Sequence, residues 1–381
     1  MKIFINCANL RFGGGVTVGH NIIKSLNENS EVSSLAIVAP VNCGYEQFVS
    51  EKITIDFLKN YAYNPMFKPI LNYFILPNFL KKHNVSCVLS LGNIAFPASG
   101  IPQILLIQNA YLTYPESVVW QRLSFKTKLY LKSMVSLMSR NLRYANHYFV
   151  QTFTMKNRLC QLFKISDNDV SILPNAVSYT SLADCEEVNY EDLLKNKKQI
   201  KLLFLSKFYP QKNFEVLFPL AKKIIENELL ISFSITLDKN ESKDTELFLE
   251  EIKNSGFQNV IQNIGNIEKA DIAKTYAAHH GLFLPTLLES YSGTYIESIY
   301  FKRPIFTSDL DFAREVCKDA AFYFNPLDID DIISVLQSAF MNPETIYEKI
   351  EAGKEHLIGS DDWNTISGNI VKQVKDLLSK R

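Results

Sequence analysis

Two doubly wound α/β domains, each a parallel sheet covered by helices, are the architecture this sequence predicts. Three observations carry the prediction. Short apolar runs alternate with amphipathic helical stretches along most of the chain. The alternation is interrupted once, near the middle, by an acidic segment poor in apolar residues, and then resumes. The length, 381 residues, exceeds what a single hydrophobic core usually organises.

The first half opens on a strand, Lys2-Ile3-Phe4-Ile5-Asn6, an apolar run suited to burial on both faces. The turn Arg11-Phe12-Gly13-Gly14-Gly15 follows, then a helix over 16–27 with Val16, Gly19, Ile22, Ile23 and Leu26 on one face. Further strands are read at 34–39, 53–57, 87–91, 103–107, 147–151 and 170–173, with one long helix over 118–144. Pro174-Asn175 closes this half. Residues 178–198, with Asp184, Glu186, Glu187, Glu191 and Asp192, read as a linker. The second half gives strands at 201–206, 231–237, 260–264, 280–285 and 304–307. Its helices are expected at 214–227, 243–255, 269–278, 294–302, 330–341 and 363–379. The expected division is a first domain over 1–177, a linker over 178–198, a second domain over 199–362 and a terminal helix over 363–381.

The composition, 47% hydrophobic with 26 Phe and 18 Tyr, is ample for two cores. The formal net charge of zero hides a split. Residues 1–170 hold 17 Lys or Arg against 8 Asp or Glu, and 171–381 hold 23 against 32. No acid occurs between Asp56 and Glu116, nor from Ser117 to Ser166. A basic half points to an anionic partner: nucleic acid, a phospholipid surface or a phosphorylated substrate. Nucleic acid is the weakest of these, because the basic half lacks a helix-turn-helix or zinc pattern. Cys7, Cys43, Cys87, Cys160, Cys185 and Cys317 are scattered without metal-ligand spacing and read as reduced thiols of a cytoplasmic protein. The first residues form a strand rather than a signal-peptide core, and no apolar stretch reaches the roughly 18 residues of a membrane span. A soluble or peripheral protein is expected.

The most informative segment follows the strand Leu282-Phe283-Leu284-Pro285. It runs through Glu289 and the small-residue turn Ser290-Tyr291-Ser292-Gly293 into a helix from Thr294. Free amides and the positive end of a helix dipole make such a corner a phosphate site. Glu289 and Glu297, with seven residues between them, flank it. Two carboxylates beside a phosphate corner make sense if each addresses a hydroxyl-rich group, a sugar on one side and a ribose on the other. The bland alternatives are a capping box, Thr294-x-x-Glu297, and a solvated loop carboxylate at Glu289.

A second constellation is Ser206-Lys207-Phe208-Tyr209-Pro210-Gln211-Lys212-Asn213, a loop between strand and helix. Its two lysines could straddle a diphosphate and neutralise a leaving group. A third is the glycine turn, where Gly14 and Gly15 allow backbone to approach a ligand. It is not GxGxxG and lacks the acid that a nicotinamide cofactor needs. A fourth is Gln108-Asn109 after the strand at 103–107, two amides able to bond hydroxyls but unable to titrate. For Asn109 the alternative is a loop cap. Asp309-Leu310-Asp311 and Asp328-Ile329-Asp330 are read as loop and cap residues, with Asp330 the cap, and His279-His280 as packing residues.

The paired glutamates, with Arg303-Pro304-Ile305-Phe306-Thr307-Ser308-Asp309, Glu315-Val316 and Asp319-Ala320-Ala321-Phe322-Tyr323-Phe324-Asn325-Pro326, resemble retaining glycosyltransferases of family 4. The resemblance implies the GT-B fold, two Rossmann-like domains facing each other across a cleft. It implies that Glu289 contacts the transferred sugar, that Glu297 meets the ribose hydroxyls, and that the backbone of Ser292, Gly293 and Thr294 holds the diphosphate. Lys207 and Lys212 stand where the family carries Arg and Lys. Serines replace family glycines at 290 and 292, Thr294 replaces a proline, and Gln108-Asn109 replace a family histidine. The glycine turn would lie beside donor phosphate and acceptor. Trp363 matches the tryptophan that opens a terminal helix crossing back onto the first domain.

The function so implied is retaining transfer of a sugar from a nucleotide-diphosphate donor to a hydroxyl of a glycan or lipid-linked acceptor, in cell-surface polysaccharide synthesis. No cofactor and no metal are expected. An anionic membrane surface is an expected partner and the inner face of the membrane the expected location. The alternatives are a catalytically silent scaffold or membrane-binding protein on this fold, and a nucleotide-sugar epimerase.

Overall fold

The computed structural model describes residues 1–11, 13–59, 67–176, 187–358 and 361–380. Two sheets, of seven and six strands, are parallel throughout. The first contains β1 (Lys2–Asn6), β2 (Ser34–Pro40), β3 (Ile53–Leu58), β4 (Cys87–Ser90), β5 (Gln103–Ile107), β6 (His147–Val150) and β7 (Val170–Ile172), in the order β3-β2-β1-β4-β5-β6-β7. The second contains β8 (Ile200–Phe204), β9 (Ile231–Ile235), β10 (Ile261–Asn263), β11 (Gly281–Leu284), β12 (Ile305–Ser308) and β13 (Ala321–Phe324), in the order β10-β9-β8-β11-β12-β13.

The helices, in chain order, begin with α1 (Gly13–Glu28), α2 (Lys68–Ile70), α3 (Leu76–Lys81), α4 (Val119–Arg122), α5 (Phe125–Asn141), α6 (Phe153–Phe163) and α7 (Tyr190–Lys195). They continue with α8 (Leu217–Glu226), α9 (Lys243–Asn254), α10 (Ile272–Ala277), α11 (Gly293–Tyr300) and α12 (Asp311–Cys317). The last are α13 (Ile329–Met341), α14 (Pro343–Ile358) and α15 (Trp363–Ser379). A π turn, Leu71–Ile75, joins α2 to α3.

The chain divides into two units. Among the described residues the first holds 1–116, 124–176 and 361–380, and the second holds 117–123 and 187–358. In the first unit, alternate strand residues reach opposite faces. Ile3 and Ile5 join a core with Ile22, Leu26, Ile366, Ile370 and Val374, from α1 and α15. Phe4 and Val88 enter the other core with Leu76 and Leu80 of α3. The α15 helix thus lies on α1, and Lys375 pairs with Glu31 at its edge.

The structure departs from the sequence reading at four places. The helix expected over 118–144 is two: Leu123 has extended backbone, and Ser124 caps α5 by accepting from the Thr127 amide at 3.2 Å. The piece before the break groups with the second unit. The expected linker is short of 198, because Tyr190 and Leu193 of α7 are buried in the second unit and Tyr190 donates to the His280 carbonyl at 3.0 Å. Its segment 178–186, with Asp184, Cys185 and Glu186, lies outside the described residues. Helices α2, α3, α6, α12 and α14 and strand β13 add elements where none was assigned. Finally, α1 begins at Gly13, so the glycines form its first turn.

Arg303 fastens the second unit where α10 and α11 end. It is 2% exposed, and its guanidinium donates to the carbonyls of Tyr276 (3.0 Å), His279 (2.9 Å), Phe301 (3.1 Å) and Lys302 (3.2 Å). Replacing it with methionine strands those acceptors. Arg303→Met should lower unfolding stability by at least about 3 kcal/mol in urea titrations, with the β8–β13 sheet the part weakened.

Candidate functional site

In the second sheet the strand order reverses between β8 and β11, which lie side by side. In open α/β sheets, ligands sit outside the carboxyl ends of strands at that reversal. The loop after β8 carries Lys207 and Lys212, and the loop after β11 carries Glu289 and leads into α11. A hydrogen bond from the Leu287 amide to the Gln211 carbonyl, 2.8 Å, stitches the loops together. Asn213 anchors the first loop from below. Its backbone is left-handed (φ 60°), a conformation asparagine tolerates better than most residues. Its buried amide donates to the Pro326 carbonyl at 3.1 Å and accepts from Arg122 at 2.6 Å.

On this scaffold Lys212 donates to a carboxylate oxygen of Glu289. Both side chains are largely shielded, at 13% and 18% exposure, so the attraction is screened less than at an open surface. Lys207 does not join them. Its ammonium pairs with Glu241, in the region after β9, at 2.8 Å. The two lysines expected to straddle one group therefore have different carboxylate partners.

The α11 helix starts one residue earlier than expected. Ser292 occupies the N-cap position, so Thr294 lies inside the first turn and the Thr294–Glu297 capping box does not form. The Ser292 and Thr294 hydroxyls bond each other at 2.8 Å. The amides of Gly293 and Thr294 belong to the first turn, which has no intrahelical acceptors, and open space lies where a Gly293 side chain would stand. Glu297 accepts from the buried Tyr276 hydroxyl at 3.4 Å, which also lies 3.2 Å from the Thr294 carbonyl. Thr286, at the carboxyl end of β11, is fully buried, with its hydroxyl unpartnered among the described residues.

The first unit gathers the other candidates. Gly13 has φ 62°, and Gly14 is exposed. A Cβ on Gly15 would lie 3.7 Å from the Gln108 side-chain oxygen, so the glycine turn and the end of β5 meet. The Gln108 side-chain nitrogen is buried, and its N–H groups donate to no partner among the described residues. Asn109 instead caps the short turn after β5, accepting from the Tyr111 amide at 3.0 Å.

Other motifs have structural roles. His279 bonds the Thr275 carbonyl at 2.6 Å, and His280 accepts from the Lys201 amide at 2.9 Å. Burial, with neighbouring cations, pushes His280 down to about 4 and keeps it neutral. Asp309 holds Arg314, whose hydrogen bond keeps its carboxyl below the usual range. The cap of α13 is Asp328, not Asp330, because Asp328 accepts from the amides of Asp330 and Asp331. Among the described residues no group of three or more His, Cys, Asp and Glu is placed to hold a metal ion.

Sequence reading gives Glu241, Tyr276, Arg122 and Thr286 no role at this site. The first three reach the site across separations of 34, 21 and 91 residues, which leave no spacing signal.

The whole chain superimposes on solved glycosyltransferase structures. It covers 100% of sucrose-phosphate synthase from Thermosynechococcus elongatus, and is itself wholly covered, at TM-score 0.73 and 13% identity. With Anabaena HepE, solved with UDP and glucose, 99% of this chain and 100% of that one align at TM-score 0.70 and 14% identity. With WaaG, a glycosyltransferase involved in lipopolysaccharide biosynthesis, the shares are 98% and 99%, at TM-score 0.70 and 14% identity. No match was found among curated protein sequences. The two parallel sheets and these neighbours make this a GT-B fold. Residues 186–356 match the family described as Glycosyl transferases group 1, so the second unit is a domain of that family and the chain is a glycosyltransferase.

Asn213 offers a check on how the β8 loop is held. Asn213→Ala should cost about 2 kcal/mol in chemical denaturation, from a strained backbone and two lost hydrogen bonds. Asn213→Gly should restore only the backbone part.

Proposed function

We propose that the protein moves a sugar from a nucleotide-diphosphate donor to a hydroxyl of a glycan or lipid-linked acceptor, with retention at the anomeric carbon, in the synthesis of a cell-surface polysaccharide. The observation that carries this reading is the meeting of Lys212 and Glu289 beside the open amides of α11, at the strand-order reversal of the second sheet. The Anabaena neighbour solved with UDP and glucose supports a nucleotide-sugar donor, and the lipopolysaccharide enzyme supports a surface glycan.

In this reading the Ser292, Gly293 and Thr294 backbone takes the diphosphate. Lys212, with Lys207 nearby in the same loop, neutralises charge that builds on it as the bond to the sugar breaks. Glu289 bonds the sugar hydroxyls and Glu297 those of the ribose. In the first unit, the resemblance assigns Gly14, Gly15, Gln108 and Asn109 to substrate contact. The acceptor oxygen bonds to the anomeric carbon on the face that the diphosphate leaves, and its proton passes to a diphosphate oxygen. Lysines and amides supply the positive charge, so the scheme calls for no metal and no protein base.

Lys212→Ala should lower turnover on the order of 10²–10³-fold, and wild-type turnover in that variant would overturn the assignment. Glu289→Gln should slow transfer while donor still binds, whereas Glu297→Gln should weaken nucleotide binding. Calorimetry with nucleoside diphosphates separates the two effects, and equal binding by both variants removes the ribose role.

The reading extends to peripheral attachment at the cytoplasmic face of an anionic membrane, through the first unit. On α5, Phe125, Leu129 and Tyr130 are 81%, 61% and 44% exposed. None of Lys126, Lys128, Lys132 and Arg140 pairs with a carboxylate among the described residues. The Tyr73 hydroxyl donates to Asn141 at 2.7 Å, tying α5 to the turn region where Phe67, Ile70 and Phe74 are exposed. Residues 60–66, just before that region, lie outside the described residues. Each basic residue near an anionic leaflet contributes about 1 kcal/mol, so four support reversible attachment. No described helix is long and apolar enough to cross a membrane. Sedimentation should show binding to phosphatidylserine vesicles that salt reverses. Equal binding to neutral vesicles, or none at low salt, would exclude this attachment.

A further inference from the structure

The first sheet has its own reversal, between β1 and β4, and the mechanism above leaves the residues there unused. The loop after β1 carries Asn9 and Arg11, and the loop after β4 carries Gly92. A Cβ on Gly92 would stand 2.8 Å from the Asn9 Cβ, so glycine makes the space in which Asn9 sits. There the Asn9 side-chain oxygen accepts from the Lys68 ammonium at 2.6 Å. The Asn9 nitrogen is buried, and its N–H groups have no partner among the described residues. Asn72, fully buried, fixes the lysine's backbone by donating to the Lys68 carbonyl at 2.7 Å.

Lys68 is half-buried, and among the described residues no carboxylate pairs with it. The chain has no acid from residue 57 to 115 that could do so locally. The charged group that faces it is Arg11, another cation. Burial first, and Arg11 second, push the Lys68 ammonium down to about 8. An ammonium withdrawn from water, held by one neutral amide and facing a like charge, is costly unless an anion completes the site. The α1 helix, whose first turn contains no acid, starts two residues beyond Arg11 and adds the positive end of its dipole.

We propose that Lys68, Asn9 and Arg11 form an anion subsite in the first unit that takes a phosphate group of the acceptor. This deepens the transferase reading and rests on it for the word acceptor, though not for the anion. An ammonium, a guanidinium and an amide donor match the several oxygens of a phosphate, whereas a neutral sugar hydroxyl would leave the Lys68 ammonium without a counter-charge. The phosphate can belong to a soluble sugar phosphate or to a phosphate-linked lipid.

The test is calorimetric titration of the full chain with inorganic pyrophosphate. Wild type should show two sites, one at each sheet's reversal. Lys68→Met should weaken one by at least about tenfold, Lys68→Arg should keep it, and Lys212→Ala should remove the other while sparing this one. Unchanged pyrophosphate binding in Lys68→Met overturns the proposal, whereas loss confined to Lys68→Met with no effect of Lys212→Ala sinks the donor reading alone. The melting temperature supplies the control. Removing an uncompensated charge should leave it equal or higher, and a fall of several degrees with binding intact makes Lys68 a structural residue. In the Lys212→Ala protein, displacement of pyrophosphate by a hexose phosphate assigns a soluble acceptor. Displacement by neutral vesicles carrying a polyprenyl phosphate assigns a lipid-linked one. Displacement by neither overturns the acceptor role.

Discussion

A strand in a parallel sheet cannot turn directly into its neighbour. It must pass through a crossover, so all its outgoing loops collect along one edge of the sheet. Where the strand order reverses, two consecutive crossovers leave toward opposite faces and their loops stand apart, open to a ligand. Both sheets here obey that constraint, at β1/β4 and at β8/β11. At β8/β11 the two loops are nonetheless bridged, by the backbone hydrogen bond from Leu287 to Gln211 and by the pairing of Lys212 with Glu289. The Arg303 clamp and the Asn213 anchor matter because they hold the ends of the elements that feed those loops.

The strands were legible because parallel strands are buried on both faces and read as continuous apolar runs. Lys2–Asn6, Gln103–Ile107 and Ile231–Ile235 are of that kind, and their burial is nearly unbroken. The 118–144 segment misled because its apolar residues keep helical spacing on both sides of the break. Ser124, able to offer its hydroxyl to the Thr127 amide, was the local sign of a new start. The linker misled in the opposite way. Its acidity was real, but Tyr190 and Leu193 alone suffice to bury one face of a six-residue helix.

At the site, what could be read was what lies within one loop or one strand–turn–helix corner: Lys212, Glu289, Glu297 and the start of α11. What could not be read is what fixes their orientation. Tyr276 holds Glu297 from another helix, Glu241 draws Lys207 aside from another loop, and Arg122 braces Asn213 from a segment that sequence order assigns to the other half of the chain. Those contacts depend on tertiary closure, so periodicity and motif spacing carry no trace of them.

The charge split of the sequence takes a structural form in the two units. In the second, loop cations have acids beside them: Lys207 with Glu241, Lys212 with Glu289, Lys302 with Glu187. Such pairs are already oriented, and a charge developing nearby meets fixed dipoles rather than groups that must first reorganise. The first unit is different, because the cations of α5 and Lys68 face no acid among the described residues. The α5 charges are exposed, where salt screens them beyond about 8 Å at physiological strength. They therefore suit a broad and reversible anionic surface. Lys68 is half-buried beside a single amide, where screening is weaker and geometry tighter, and that environment suits a single small anion. One excess of positive charge thus divides by burial into two kinds of recognition.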